Sequence, residues 1–374
     1  MKKPFASLFA CFVLLSLSCK KSSSDNGTAT TPDSANPLYD LVKSSFTVSP
    51  FDTVNITGLV PLGNLNPPGH VFPTDHMYFY CFTSLPSLNI KSPGNVHVLR
   101  VGKVHYNAGL TNDHFDYTIM LGSDNSFMYW YHVSELSPRL LTAANNFNTA
   151  KCDSVYAIAG STGQQCYVTL SLAATPGEVL GVAKTSNGLA GMDMGVTISG
   201  SGGNPLEFFD TNSRNQLEAK LGRFDGRARR TALPICGEIN QDIFGTAQGN
   251  WVKQGYQKWQ EENHIALVKD NVDPNNLVIS AGNSMPGLNS GVFSFDTQKA
   301  GLINRGFADV KPDGNIYCYT LGFPNFPSPG SVALPNVSVI VRMENGTTLS
   351  AEKRNCDCSC TPYIFTANKV TYTR

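Results

Sequence analysis

"PPGHVFPTDHMYFY", residues 67–80, sets three prolines, two histidines and an aspartate ahead of alternating apolar and aromatic residues. Its second half decides the fold. A β-strand turns successive side chains to opposite faces. Read as a strand, "HMYFYCF" (76–82) puts His76, Tyr78 and Tyr80 on one face and Met77 and Phe79 on the other. The first half, "PPGHVFPTD", reads as a stiff entry loop. In it Asp75 or Thr74 would bond local backbone amides and His70 would cap a neighbouring turn. A second reading folds the loop back, so that His70 joins His76 at a metal.

The same texture continues outward. "NVHVLRVGKVHY" (95–106), "FDYTIML" (115–121), "FMYWYHV" (127–133), "CYVTLSL" (166–172) and "MDMGVTI" (192–198) are short alternating runs between turn residues, the mark of strands. "GSDNS" (122–126) predicts a hairpin between two of them. Alternation places Met128, Trp130 and His132 on one face, and Gly191, Asp193 and Gly195 opposite Met192, Met194 and Val196. Three segments therefore each offer one ligand-capable side chain: His76, His132 and Asp193.

Beyond Cys236 the runs 276–282, 291–296, 315–321 and 338–344 also read as strands, and Asn345-Gly346 between 338–344 and 347–353 favours a type I′ hairpin. The chain closes on a further strand-like run, "KVTYTR". The expected fold is mostly β: an N-terminal antiparallel domain over 38–211, a joining segment over 212–235, and a C-terminal barrel or sandwich over 236–374. The best helix candidate is 215–224, and the basic cluster "GRARR" (226–230) is expected in an exposed joining segment. "GTAQGNW" (245–251) is similar to the Gly-x-Trp opening of lipocalin-like barrels, although a tryptophan packed under a hairpin explains it equally. "KDNVDPNN" (269–276) has oxygen donors for calcium but not the spaced series of an EF-hand, and it reads as a turn.

The amino terminus predicts an address. Lys2 and Lys3 precede an apolar run over 5–17, too short for a permanent span, and the run ends in "LSLSC". That order resembles a bacterial lipoprotein signal (1–19) with Cys19 as the lipidated residue. An ordinary secretory signal is the alternative, and either exports the chain to the cell envelope. Residues 20–37, rich in Ser, Thr, Asp and Asn, read as a flexible tether from the membrane. The formal net charge is +0 with 15% charged residues, and no basic stripe is present, which argues against nucleic acid as a partner. Outside the signal and Cys19 eight cysteines remain, an even number that permits disulfides in an exported protein. "CDCSC" (356–360) is unlike zinc-knuckle spacing; its cysteines are expected to bridge to distant partners, Cys236 and Cys318 foremost.

Over about residues 58–210 the order of segments resembles the lysostaphin-type (LytM-type) zinc endopeptidases of peptidoglycan. "HMYFY" corresponds to their His-x-x-x-Asp motif, "YWYHVSEL" to a Tyr-x-His-Leu element, and "GLAGMDMGV" to the segment carrying His-x-His. The resemblance implies zinc as the cofactor, His76 as a metal ligand with Asp193 as a substitute for another, and His132 as the catalytic histidine. A rearranged site, with the loop folded back, could add His70 as a third ligand. The departures imply a degenerate relative: Tyr80 stands where the family has aspartate, and Gly191 and Asp193 stand where it has His-x-His. The leading expectation is accordingly a non-catalytic envelope protein needing no cofactor. It would bind peptidoglycan, a glycan or a peptide through Tyr78, Tyr80, Trp130 and Tyr131. The alternatives are a zinc hydrolase of cell-wall peptide and a barrel that holds a small apolar ligand.

Overall fold

The computed structural model describes residues 40–374, apart from 111, 159–160 and 325–330. The signal run with Cys19 and the tether lie outside the described residues. Among those described, no helix is long and apolar enough to cross a membrane.

The chain is mostly β, as its alternation predicts. The first half contains β1 (Gly58–Val60), β2 (His76–Phe82), β3 (Ser87–Lys91), β4 (Val96–Tyr106), β5 (His114–Gly122), β6 (Ser126–Val133) and β7 (Glu135–Leu136). It continues through β8 (Lys151–Cys152), β9 (Tyr156–Ile158), β10 (Ser161–Ala174), β11 (Val179–Lys184), β12 (Leu189–Ile198) and β13 (Ser201–Gly202). Ten of these form one antiparallel sheet whose main path runs β1-β2-β12-β6-β5-β4-β10-β8, while β3, β11 and β7 form a small second sheet. Met77, Phe79, Met128, Trp130, Met192 and Met194 from the large sheet share one buried core with Leu88, Ile90, Leu136 and Leu180 from the small one. One face of the large sheet is thereby spent on packing. The other carries the polar residues.

The second half is a closed eight-stranded meander of β14 (Gly249–Lys253), β15 (Ile265–Lys269), β16 (Leu277–Ala281), β17 (Gly291–Ser294), β18 (Tyr317–Pro324), β19 (Ser331–Asn345), β20 (Thr348–Arg354) and β21 (Val370–Thr373). Closure removes the sheet edges that would otherwise be left unpaired. Trp251, Phe295, Phe307, Tyr319 and Tyr372 fill the interior with Ile265, Leu267 and Ile279. The Trp251 indole donates to the Ala247 carbonyl (2.8 Å), and the Arg374 guanidinium lies 3.9 Å over its ring.

Three expectations are corrected. The helix is α2, counting α1 as Pro138–Ala143, and it spans Thr211–Glu218, beginning at the Asp210 cap rather than at 215. It stops because the following residues are drawn along β1: Leu59 pairs with the buried Leu221, and the Gly222 amide donates to the Leu59 carbonyl. The basic cluster is not simply exposed. Arg230 is buried and donates to the carbonyls of Pro234 and Asn271, while Arg229 donates to those of Lys220 and Thr57. Disulfides join Cys152 to Cys166 and Cys318 to Cys358. Cys236 is not a partner, because its side chain is turned into the sheet core with Leu62 and Leu206, whereas Cys318 and Cys358 pack with Ile340.

Candidate functional site

The strands that carry the sequence-marked residues are neighbours, with β12 between β2 and β6. Their register builds rows across the polar face. Gly195 lies between His76 and Tyr129, Asp193 between Tyr78 and Tyr131, and Gly191 beside Tyr80. Tyrosine rings thus stand on both sides of a central strand whose only side chain among these three positions is a carboxylate. Along β2 the rings follow one another: His70 to His76 at 5.3 Å between centroids, His76 to Tyr78 at 4.8 Å, Tyr78 to Tyr80 at 6.5 Å, and Tyr80 to Phe224 at 5.6 Å. Along β6, Tyr129 and Tyr131 are 4.9 Å apart. His76, Tyr78, Asp193 and Tyr129 form a buried floor, Tyr80 and Tyr131 are half-buried, and His132 is exposed.

Alternation predicts β2 and β12 correctly but misplaces His132. Met128 and Trp130 point into the core, and His132 does not follow them. The β5–β6 register shifts between Tyr117 and Ile119, and His132 has φ 60°. The additional residue on β6 is a bulge, which re-aims the side chain that follows. His132 is thereby brought onto the tyrosine face, where its Nδ1 lies 2.7 Å from the Asp116 carboxylate. Trp130 is fully buried in the sheet core and presents no binding surface, which corrects its place among the expected ligand contacts.

A single motif organises the charges. Asp193 Oδ2 lies 3.6 Å from His76 Nε2 and 3.5 Å from His132 Nε2. The far nitrogen of each ring faces a second carboxylate: Asp75 at 3.2 Å for His76 and Asp116 for His132. Carboxylates only accept, so each Nδ1 carries the proton and each Nε2 is left facing Asp193. The two gaps exceed the usual hydrogen-bond range of about 2.7–3.2 Å. His76 Nε2 is buried without a hydrogen-bond partner. Burial raises the Asp193 carboxyl above its ordinary value, against the pull of His132 and His76. The hydrogen bond to Asp116 raises His132, and that to His76 lowers Asp75. Burial and the neighbouring His76 push His70 down to about 4, so its ring is neutral.

The opening loop reaches in two directions. Its backbone is pinned by paired Asn66 and His70 amides and carbonyls (2.8 and 3.0 Å), as a structured loop requires. Asp75, expected to bond local amides, instead reaches His76 and the Tyr129 hydroxyl (3.0 Å), while the Thr74 hydroxyl donates to the His76 carbonyl. Val71 and Phe72 point away and pack with Ala266, Val268 and Val278 on the outside of the barrel. Phe72 stacks on His264 at 5.4 Å, and its amide donates to the Glu261 carboxylate at 3.1 Å. Burial pushes Glu261 up to about 6.

Sequence reasoning missed Asp116, Tyr129 and Glu261. Asp116 was available by alternation with Thr118 on β5; the other two depend on contacts between distant segments.

A catalytic zinc takes about three protein ligands and one open position. Among the described residues no three His, Cys, Asp or Glu side chains stand close enough together to hold one ion. Asp193 makes a close pair with His76 and another with His132, Tyr80 offers no carboxylate, and Gly191 offers no ligand at all. The residues present therefore do not fit a hydrolytic zinc. Fold and site together define a β protein with one packed barrel and one polar, tyrosine-walled sheet face. Comparison with protein-family models, curated proteins and solved structures finds no match.

Proposed function

We propose that this chain is an exported, lipid-anchored envelope protein whose polar sheet face binds a peptide or glycan of the cell wall without cutting it. One observation carries the reading: the Gly191–Asp193–Gly195 strand lies between tyrosines, with Tyr80 and Gly191 in the positions where the resemblance implies metal ligands. Rings with a polar edge suit sugars and peptide planes alike. The interior of the barrel is filled by its own large side chains, which draws the search for a ligand to the sheet.

The test is co-sedimentation of the full chain, purified in detergent, with peptidoglycan sacculi. Binding is expected, with Tyr131→Ala and Tyr80→Ala each weakening it by about tenfold, a loss of about 1.4 kcal/mol. No soluble fragments should be released. Retention unaffected by both substitutions, or release of cleaved peptides, would overturn the reading. The zinc hydrolase, with His76, Asp193 and His70 as ligands and His132 polarising the substrate, has one feature in its favour, the unpartnered His76 Nε2. One equivalent of zinc in untagged protein, lost in His76→Ala, would establish that rival instead. Cys19→Ala should release the chain from membranes, as read by fractionation.

A further inference from the structure

Resting on that reading, we infer that the Asp193 carboxylate and the two imidazoles beside it receive a primary ammonium group of the ligand. Asp193 is 7% exposed, and the ion partners it has are His76 and His132. Each of those rings already gives its Nδ1 proton to another carboxylate, Asp75 or Asp116. Two Nε2 atoms thus stand 3.5 and 3.6 Å from one Asp193 oxygen, beyond hydrogen-bond range, and three carboxylates, Asp75, Asp116 and Asp193, outnumber the two rings among them.

A buried carboxylate with no donor within hydrogen-bond range is costly. The His76 Nε2, on a residue 7% exposed and with no hydrogen-bond partner, is aimed at the same oxygen. What resolves the arrangement is a donor with positive charge. A metal ion needs its ligands converged at about 2.0–2.2 Å, and the described residues supply no such set. A primary ammonium has three N–H donors and accepts a looser ring of partners at about 2.7–3.2 Å. Tyrosine faces also attract cations, and Tyr78 and Tyr131 stand in the row of Asp193. Gly191, beside Tyr80, adds no side chain to the face next to Asp193. An anionic ligand group would meet Asp75, Asp116 and Asp193 together and be repelled.

The ammonium has two sources in a cell wall, a peptide side chain and a de-N-acetylated sugar. Titration calorimetry on the full chain in detergent separates them with four probes. These are a lysine-containing stem peptide with a free ε-amine, its Nε-acetyl counterpart, a glucosamine oligomer and an N-acetylglucosamine oligomer. One free-amine probe is expected to bind at least about tenfold tighter than its acetylated twin. Asp193→Asn should abolish that preference with the thermal melting cooperativity intact. Equal affinity for both members of each pair, or a preference that survives Asp193→Asn, overturns the inference. Sacculus binding without an amine preference would leave the binding reading standing and remove this one. Loss of both sacculus and peptide binding would remove both.

Discussion

The barrel interior and the polar face of the large sheet are built from the same alternation and put it to opposite uses. In the barrel, the inward Ile265, Leu267 and Ile279 are apolar and fully buried, and the aromatic rings of Phe295, Phe307 and Tyr319 meet one another. On the sheet, β2, β12 and β6 bring His76, Asp193 and His132 among tyrosines, and the entry loop and β5 add His70, Asp75 and Asp116. The first arrangement is where stability is made. The second costs stability, since a raised Asp193 pKa means that burial disfavours the charged form. A region that carries such a cost among well-packed surroundings is a functional candidate on physical grounds.

Four substitutions would break or sharpen that contrast. Trp251→Ala empties the largest side chain of the barrel interior and should cost about 3–5 kcal/mol, read from urea unfolding. Phe72→Ala removes the loop's anchor on the barrel and should cost about 3 kcal/mol. Unlike the first, it should also weaken sacculus binding, because the same loop carries His70 and Asp75. An unchanged affinity would show that the face is indifferent to the barrel.

Glu261 gives a pH signature. Its folded-state value of about 6 lies above its ordinary 4.5, so the folded protein holds the proton longer. Its contribution is fully present below about pH 4.5 and is lost as pH rises through about 6, amounting to about 1–2 kcal/mol. The difference in unfolding free energy between wild type and Glu261→Gln should track that window, and a difference flat from pH 4 to 7 would refute it. Asp193→Asn is the smallest expected change and has the opposite sign from the core variants. At neutral pH the asparagine should be more stable by about 0.5–2 kcal/mol. That advantage shrinks as the wild-type carboxyl protonates at low pH. Destabilisation at neutral pH would mean that the carboxylate is well satisfied after all.

Much of the fold was legible because alternation reports burial. The run 76–82 is a strand end to end, and the hairpin at 122–126 falls where turn residues predict it. The hairpin after β19 turns one residue later than expected, with Asn345 paired to Thr348 and no residue of Asn345, Gly346 and Thr347 at the positive φ of a type I′ turn. The site was only partly legible. His76, Asp193 and His132 do come together, but for His132 the route was a bulge that period two cannot express. Trp130 was lost for the companion reason, since the same alternation carries it into the core. Cys236 shows a different limit: an even cysteine count permits bridges without saying which side chains share a core.

The loop at 67–75 has a consequence for how the molecule can be divided. Its Val71 and Phe72 belong to the barrel's outer wall, and its His70 and Asp75 belong to the sheet. Asn271 of the barrel half reaches the Pro61 carbonyl in the same way, and Arg230 answers by holding the Asn271 carbonyl. A cut at either end of 212–235 would therefore yield not two modules but two wounded surfaces, each displaying the apolar residues meant for the other. The halves are keyed to one another, and the key is the segment that also shapes the binding face.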